Sequence, residues 1–256
     1  MNAVSGVYSN QNLLTDSMSQ ISSGKRINSA ADDAAGLAIA NKMDSQARGY
    51  AVAESGSQDM QNLLKTADGA LAGISDALLR VRELTVQAQN GIYNDADRQI
   101  LQNEADQLLD FVKNAAQDTE FNRIKILNGS FADKNLASNP TGNGLKINIS
   151  NASLESLGLQ NFKLTSGDAL VKIDDAIASV SGARSKIGAQ MNTIDHIISA
   201  NQIAYVNISA AKSRIEDTDI GKAAMNLYKA KVIEQAQVLG IKTQTDNMKQ
   251  KIGILM

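Results

Sequence analysis

Apolar residues return at helical spacing along both ends of the chain, and only the stretch from about 118 to 166 breaks that pattern. Residues 1 to about 22 open with a moderately amphipathic run (Val4, Val7, Tyr8, Leu13, Leu14, Met18, Ile21), interrupted at Gly24. Ser29-Ala-Ala-Asp32 reads as a capping-box-like start, a hydroxyl followed three residues on by a carboxylate. From there a helix is predicted to about residue 90. Inside it Met60, Ala67, Ile74, Val81 and Ala88 recur every seven residues, with Leu64, Leu71 and Leu78 four after the first three. Such a heptad seam needs a partner helix. Asn90-Gly91 ends it, and Asn94 or Asp95 caps a helix over about 95–117.

A second seam lies in the other half. Ile173, Val180, Ile187, Ile194, Ile208 and Ile215 share one heptad position, and Asn201 takes the missing step. Asn201 is either a register-setting polar residue or a partly solvated seam position. A helix over 168–215 would run roughly 70 Å, too long to bury itself, so it requires the 30–90 helix, other subunits, or both. Asp217-Thr-Asp219 caps a last helix towards Met256. Between the halves, Asn128-Gly129, Gly142-Asn143-Gly144 and Pro140 signal turns. Leu145, Ile147 and Ile149 alternate with polar residues as a short strand, with Phe121–Leu127 as its neighbour. The fold class that follows is mainly α: a long helical-hairpin, coiled-coil rod formed by the N- and C-terminal halves, with a small β-hairpin region in the middle.

Composition narrows the function. Aromatics make up 4% and Trp is absent, so Ala, Ile, Leu and Val must pack thin helix-helix seams. One proline in 256 residues leaves the helices unbroken. No cysteine means no disulfide, thiolate nucleophile or zinc-thiolate site. The net charge of −2 gives no positive field for nucleic acid. No apolar run is long enough for membrane insertion. Residues 1–12 have no Lys or Arg and no long apolar core, so they do not make a cleavable signal peptide.

Candidate chemistry is sparse. His196 is the only histidine, so no triad or His-pair metal site exists. Asp32-Asp33 and Asp217/Asp219 read as helix caps rather than acid-base pairs. Gly69, Gly73, Gly182 and Gly188 lie inside helical runs, where they permit close helix approach. Arg80-Val-Arg82-Glu83 reads as mixed-charge helix surface. Lys222, Lys229, Lys231, Lys242, Lys249 and Lys251 alternate with apolar residues as a partner-helix face. The expectation is no enzyme, no cofactor and no metal.

Three segments carry a family resemblance. Ile21-Ser-Ser-Gly-Lys-Arg-Ile-Asn-Ser-Ala-Ala-Asp-Asp-Ala-Ala-Gly-Leu-Ala-Ile-Ala40 resembles the N-terminal signature of bacterial flagellins. Leu79-Arg-Val-Arg-Glu-Leu-Thr-Val-Gln87 and Ser213-Arg-Ile-Glu-Asp-Thr-Asp219 resemble the same family. The resemblance implies a subunit that polymerises into the flagellar filament and gives motility. It implies an inner-core coiled-coil domain (D0) from residues 1–28 and 216–256, and a helical rod domain (D1) from 29–215 that includes the β region at about 118–166. With only that region open to insertion, the chain resembles a minimal flagellin with little or no outer domain.

By the same resemblance, the implied partners are further copies of the chain, a flagellar export chaperone on the C-terminal helix, and the filament cap and hook-junction proteins. The implied location is extracellular, reached by flagellar type III export. Carried over position by position, contacts to the innate immune receptor TLR5 fall on Arg80, Glu83, Leu84, Gln87, Leu101 and Glu104. Met60, Ala67, Ile74, Val81, Ile173, Val180, Ile187 and Ile194 are expected to form the seam within one subunit. Residues 1–22 and 221–256 are expected to lie between subunits. The alternatives are a hook-filament junction protein and a secreted immunomodulatory receptor ligand with weak polymerisation. Family members usually carry a few residues ahead of this chain's start, and the chain closes with Ile-Gly-Ile-Leu-Met256 rather than Leu-Leu-Arg. The His-Glu-x-x-His motif of metallopeptidase flagellins is absent.

Overall fold

The computed structural model describes residues 2–255, with side chains from 6 to 251. Met1, the Val4 side chain and the closing side chains from Ile252 onward, which enter the sequence reading, lie outside those described. Five helices and four short strands follow in the order α1 (Asn2–Ser23), α2 (Ala34–Ala88), α3 (Asp95–Asp118), β1 (Glu120–Phe121), β2 (Ile124–Lys125), β3 (Lys134–Leu136), β4 (Leu145–Ile147), α4 (Ala169–Glu216) and α5 (Ile220–Leu255). The fold is mainly α, with small antiparallel strand pairs in the middle. The chain divides into two compact units, one built from residues up to Ala47 and from Val206 onward, the other from Arg48–Tyr205.

In the Arg48–Tyr205 unit, one hydrophobic core joins α2, α3, α4 and the middle loops. Leu64, Leu71, Ile74 and Leu78 of α2 are fully buried, as are Ile126, Leu127, Ile147, Ile149, Leu159, Leu164 and Ile173. All eight seam residues belong to this core, Met60 at its partly buried edge. Asn94 caps α3 with a complete capping box: its side chain accepts from the Asp97 N–H, and the Asp97 carboxylate accepts from the Asn94 N–H.

In the other unit, α1 and α5 pair along a seam of small and polar residues. Asn10, Ser17, Ala223 and Ala230 are buried there, and Asn10 Nδ2 donates to the Ala230 carbonyl at 2.8 Å. Gly24 ends α1 at a φ of 71°, a left-handed stop that favours glycine. The next residues run against the end of α4: the Arg26 N–H donates to Glu216 O at 2.6 Å and the Thr218 N–H to Gly24 O at 3.0 Å. Lys25 Nζ sits 2.5 Å from the buried Glu216 carboxylate.

Four sequence readings need correction. Ser29 does not cap α2. Helix begins at Ala34, and the Asp33 carboxylate caps it by accepting from the Gly36 N–H at 2.8 Å. Asp32 turns back instead and accepts from the Asn28 and Ser29 N–H groups at 2.9 and 2.8 Å. Those bonds hold its carboxyl below the usual 3.8, Ser29 contributing most.

The strand at Leu145–Ile147 pairs with Lys134–Leu136 and not with Phe121–Leu127. Phe121–Leu127 folds on itself, with Phe121 opposite Ile124 around Asn122 and Arg123 at φ 50° and 63°. That is the two-residue mirror turn whose twist suits a hairpin. Of the four glycines read as permitting close helix approach, only Gly73 faces a neighbouring element, where an added Cβ would touch the Phe111 ring at 3.6 Å; Gly69, Gly182 and Gly188 face open space. Asn201 is buried and donates to the Ser138 carbonyl at 3.1 Å, so it is a loop anchor rather than either seam alternative.

Candidate interaction surfaces

On the outer side of α2 and α3, Arg80 is the centre of a three-residue ion-pair network. Its Nη1 donates to Glu83 at 2.9 Å within α2, and its Nε and Nη2 reach Glu104 of α3 at 2.9 and 2.8 Å. These bonds, to Glu83 first and Glu104 second, raise the Arg80 pKa further. All three side chains are well exposed, so the network orders the surface more than it stabilises the fold. One turn on, Gln87 Nε2 donates to the Tyr93 hydroxyl at 2.8 Å. Leu79, Val86, Ile100 and Phe111 are large exposed apolar residues on these same two helices. The resulting face combines a fixed charge pattern with apolar area.

The structure thus brings Arg80, Glu83, Gln87 and Glu104 to the surface, with Leu101 half-buried beneath them. Leu84 does not join them. Its side chain is fully buried in the core, because it lies on the seam side of α2, so it offers nothing to a partner directly. Arg82, on the other flank, pairs with Asp174 of α4 at 2.6 Å.

A second surface lies on α1 and α5. Helices α1 and α5 leave Tyr8, Met18, Met225, Tyr228, Val232 and Met248 exposed, with Val238, Leu239 and Ile241 beside them. Tyr228 is 71% exposed and Met225 68%. A groove of about 470 Å³ between Val7, Tyr8, Ile241 and Met248 runs along the pair. The six lysines read as a partner-helix face line α5 among these residues, those described being exposed.

Sequence reasoning missed the polar groups that pin the middle loops. Gln102 is buried on α3, where its Oε1 accepts from the Leu164 N–H at 2.9 Å and its Nε2 donates to Phe162 O at 3.2 Å. It acts as a one-residue strand for the loop. Gln190 of α4 donates to Asn148 O at 3.3 Å, beside Asn201 on Ser138. Pro140 rests on Gly49 of α2, where a Cβ would approach to 2.6 Å. A polar residue on the buried face of an otherwise apolar helix was the available signal for Gln102.

His196 is exposed on α4. Among the described residues no group of three His, Cys, Asp or Glu side chains is placed to hold a metal ion. No described helix is long and apolar enough to cross a membrane.

Paired terminal helices whose apolar residues exceed what their own seam can bury define an assembly subunit. The model of the bacterial flagellin N-terminal helical region matches residues 1–132, and that of the C-terminal helical region matches residues 170–255. The chain belongs to the bacterial flagellin family and is a structural subunit of the flagellar filament. It is 34% identical to a flagellar filament core protein of Brachyspira hyodysenteriae, over 93% of this chain and 90% of that one. It is 34% identical to the flagellin of Bacillus subtilis over 92% and 90%. Among solved structures, a putative flagellar hook-associated protein from Vibrio parahaemolyticus shares the fold, with a TM-score of 0.58 and 18% identity over 73% of this chain and 100% of that one.

Proposed function

We propose that the chain assembles into an extracellular filament by burying the outer faces of α1 and α5 between copies. Residues 1–28 and 216–256 then act as the inner-core domain and 29–215 as the rod domain. The observation that carries this reading is the density of large apolar side chains left open on one helix pair, from Tyr8 and Met18 to Tyr228 and Met248. Exposed area of that kind favours association by roughly 25 cal/mol per Å² removed from water, before the cost of losing free motion. The same faces suit an export chaperone that covers α5 before assembly, and the filament cap and hook-junction proteins at the ends of the polymer. Salt-induced polymerisation followed by electron microscopy tests the reading. Long tubes of uniform width support it, and persistent folded monomers or short capped oligomers favour the hook-junction alternative.

A second reading applies to the α2–α3 face. The exposed Arg80, Glu83, Gln87 and Glu104 support recognition of the monomer by TLR5, with Leu101 at the margin and Leu84 acting only through packing. Arg80→Ala removes three hydrogen bonds that order this face and is expected to weaken receptor binding about tenfold or more. Unchanged binding by surface plasmon resonance would remove Arg80 from the site.

A further inference from the structure

Three Asn-Gly pairs occur in the chain, at 90–91, 128–129 and 143–144. In such a pair the backbone nitrogen of glycine can attack the asparagine side-chain carbon, because no Cβ obstructs the approach. The reaction needs local freedom, and the three surroundings differ in that respect. Asn143 and Gly144 are exposed, but Gly144 lies directly against the Leu136 carbonyl and Ser138, which leave no room on that side even for a Cβ. Gly129 holds a φ of 87° beneath the Asn151 side chain, 3.1 Å from its Cβ position. The loop around Gly129 is tied by Ser130 Oγ to Lys125 O at 3.0 Å and by the Ala152 N–H to Leu127 O at 2.9 Å.

A Cβ on Gly91 would meet nothing within 4 Å, and Asn90 and Gly91 lie exposed just beyond the end of α2. The Asn90 Oδ1 accepts from the Ile92 N–H at 3.2 Å. This Asx-turn lays the side-chain amide over the following peptide and polarises its carbonyl. In the backbone the turn is held by the Gln89 N–H to Thr85 O, Asn90 N–H to Gln87 O and Tyr93 N–H to Asn90 O bonds, at 3.2, 3.1 and 3.3 Å.

We propose that Asn90 is a site of spontaneous deamidation that the native fold permits there and suppresses at Asn128 and Asn143. The deprotonated Gly91 nitrogen bonds to Asn90 Cγ, the Cγ–Nδ2 bond breaks, and ammonia leaves from a five-membered succinimide. Water opens that ring at either carbonyl, giving aspartate or isoaspartate without oxidant, enzyme or metal. Either product adds a negative charge at the C-terminal end of a 55-residue helix, where the helix dipole disfavours it. Isoaspartate also lengthens the backbone of the α2–α3 turn by one carbon, next to the Gln87–Tyr93 hydrogen bond. The mark therefore loosens the last turn of α2 as the protein ages.

Peptide mapping by mass spectrometry after incubation at mildly alkaline pH tests this, each deamidation adding about 1 Da. In the native protein the Asn90 peptide is expected to convert well ahead of the Asn128 and Asn143 peptides. In denaturant the three rates should converge. Gly91→Ala fits the open space without strain and should slow conversion at Asn90 by about tenfold, through the added Cβ. Native rates that rank the same way as the denatured ones, or an Asn90 peptide no faster than that of Asn143, would overturn the proposal, with or without the variant.

Discussion

Gln102 holds the 157–164 loop to α3 through both ends of its amide, accepting from the Leu164 N–H and donating to the Phe162 carbonyl. Gln102→Leu keeps the bulk but leaves the Leu164 N–H and the Phe162 carbonyl short of partners. The expected loss is about 1–3 kcal/mol of unfolding free energy, read by urea denaturation, whereas an exposed control such as Gln107→Leu should change little. Asp32 carries a pH dependence of known sign. Its carboxyl titrates lower folded than unfolded because the Ser29 and Asn28 N–H groups bond the ionised form. The turn is therefore fully braced above the ordinary value of 3.8 and loosens as pH falls through the lower folded value. Hydrogen-exchange protection factors at Asn28 and Ser29, corrected for the intrinsic pH dependence of exchange, should fall over that acid interval, and Asp32→Asn should remove the dependence.

The long helices were legible in the sequence because heptad spacing is a strong, redundant signal. Each of Ile173, Val180, Ile187 and Ile194 repeats the same statement, and all four are buried. Leu71, at the centre of the core, should lose about 2–5 kcal/mol on Leu71→Ala, seen in thermal or chemical unfolding. The strands were less legible because each is two or three residues long. The Phe121–Leu127 hairpin hides behind an Asn-Arg turn instead of the usual Asn-Gly. The β3–β4 hairpin is anchored by one contact distant in sequence, Asn201 to Ser138, and by the close approach of Gly144 to the Leu136 carbonyl within the hairpin. Gly144→Ala should displace that hairpin and cost about 1–3 kcal/mol, with exchange protection lost first at Lys134–Leu136 and Leu145–Ile147. On α2, Leu84 lies one turn from both the exposed Arg80 and the exposed Gln87, yet it is buried, at the border of the stripe formed by Val81 and Ala88. Helical spacing alone does not separate such a border residue from its exposed neighbours; packing into the core does.

At the scale of the whole molecule, the two units are stabilised differently. The Arg48–Tyr205 unit has a closed core of Leu, Ile and Val, whereas the α1–α5 pair is joined by Asn10, Ser17, Ala223 and Ala230. Many of the larger apolar side chains of the same helices stay exposed, among them Tyr8, Met18, Met225 and Tyr228. The proposed assembly would bury those residues against further copies, which would account for their number on the terminal helices. The decisive measurement is electron microscopy of purified protein brought to polymerising conditions with a kosmotropic salt, which strengthens apolar burial, comparing the natural chain with Val232→Glu. Val232 is 63% exposed on α5, so the substitution leaves the folded chain intact, as circular dichroism should verify. The account predicts long tubes of uniform width for the natural chain and monomers for the variant. Equal filaments from both, or none from the folded natural chain, would contradict it.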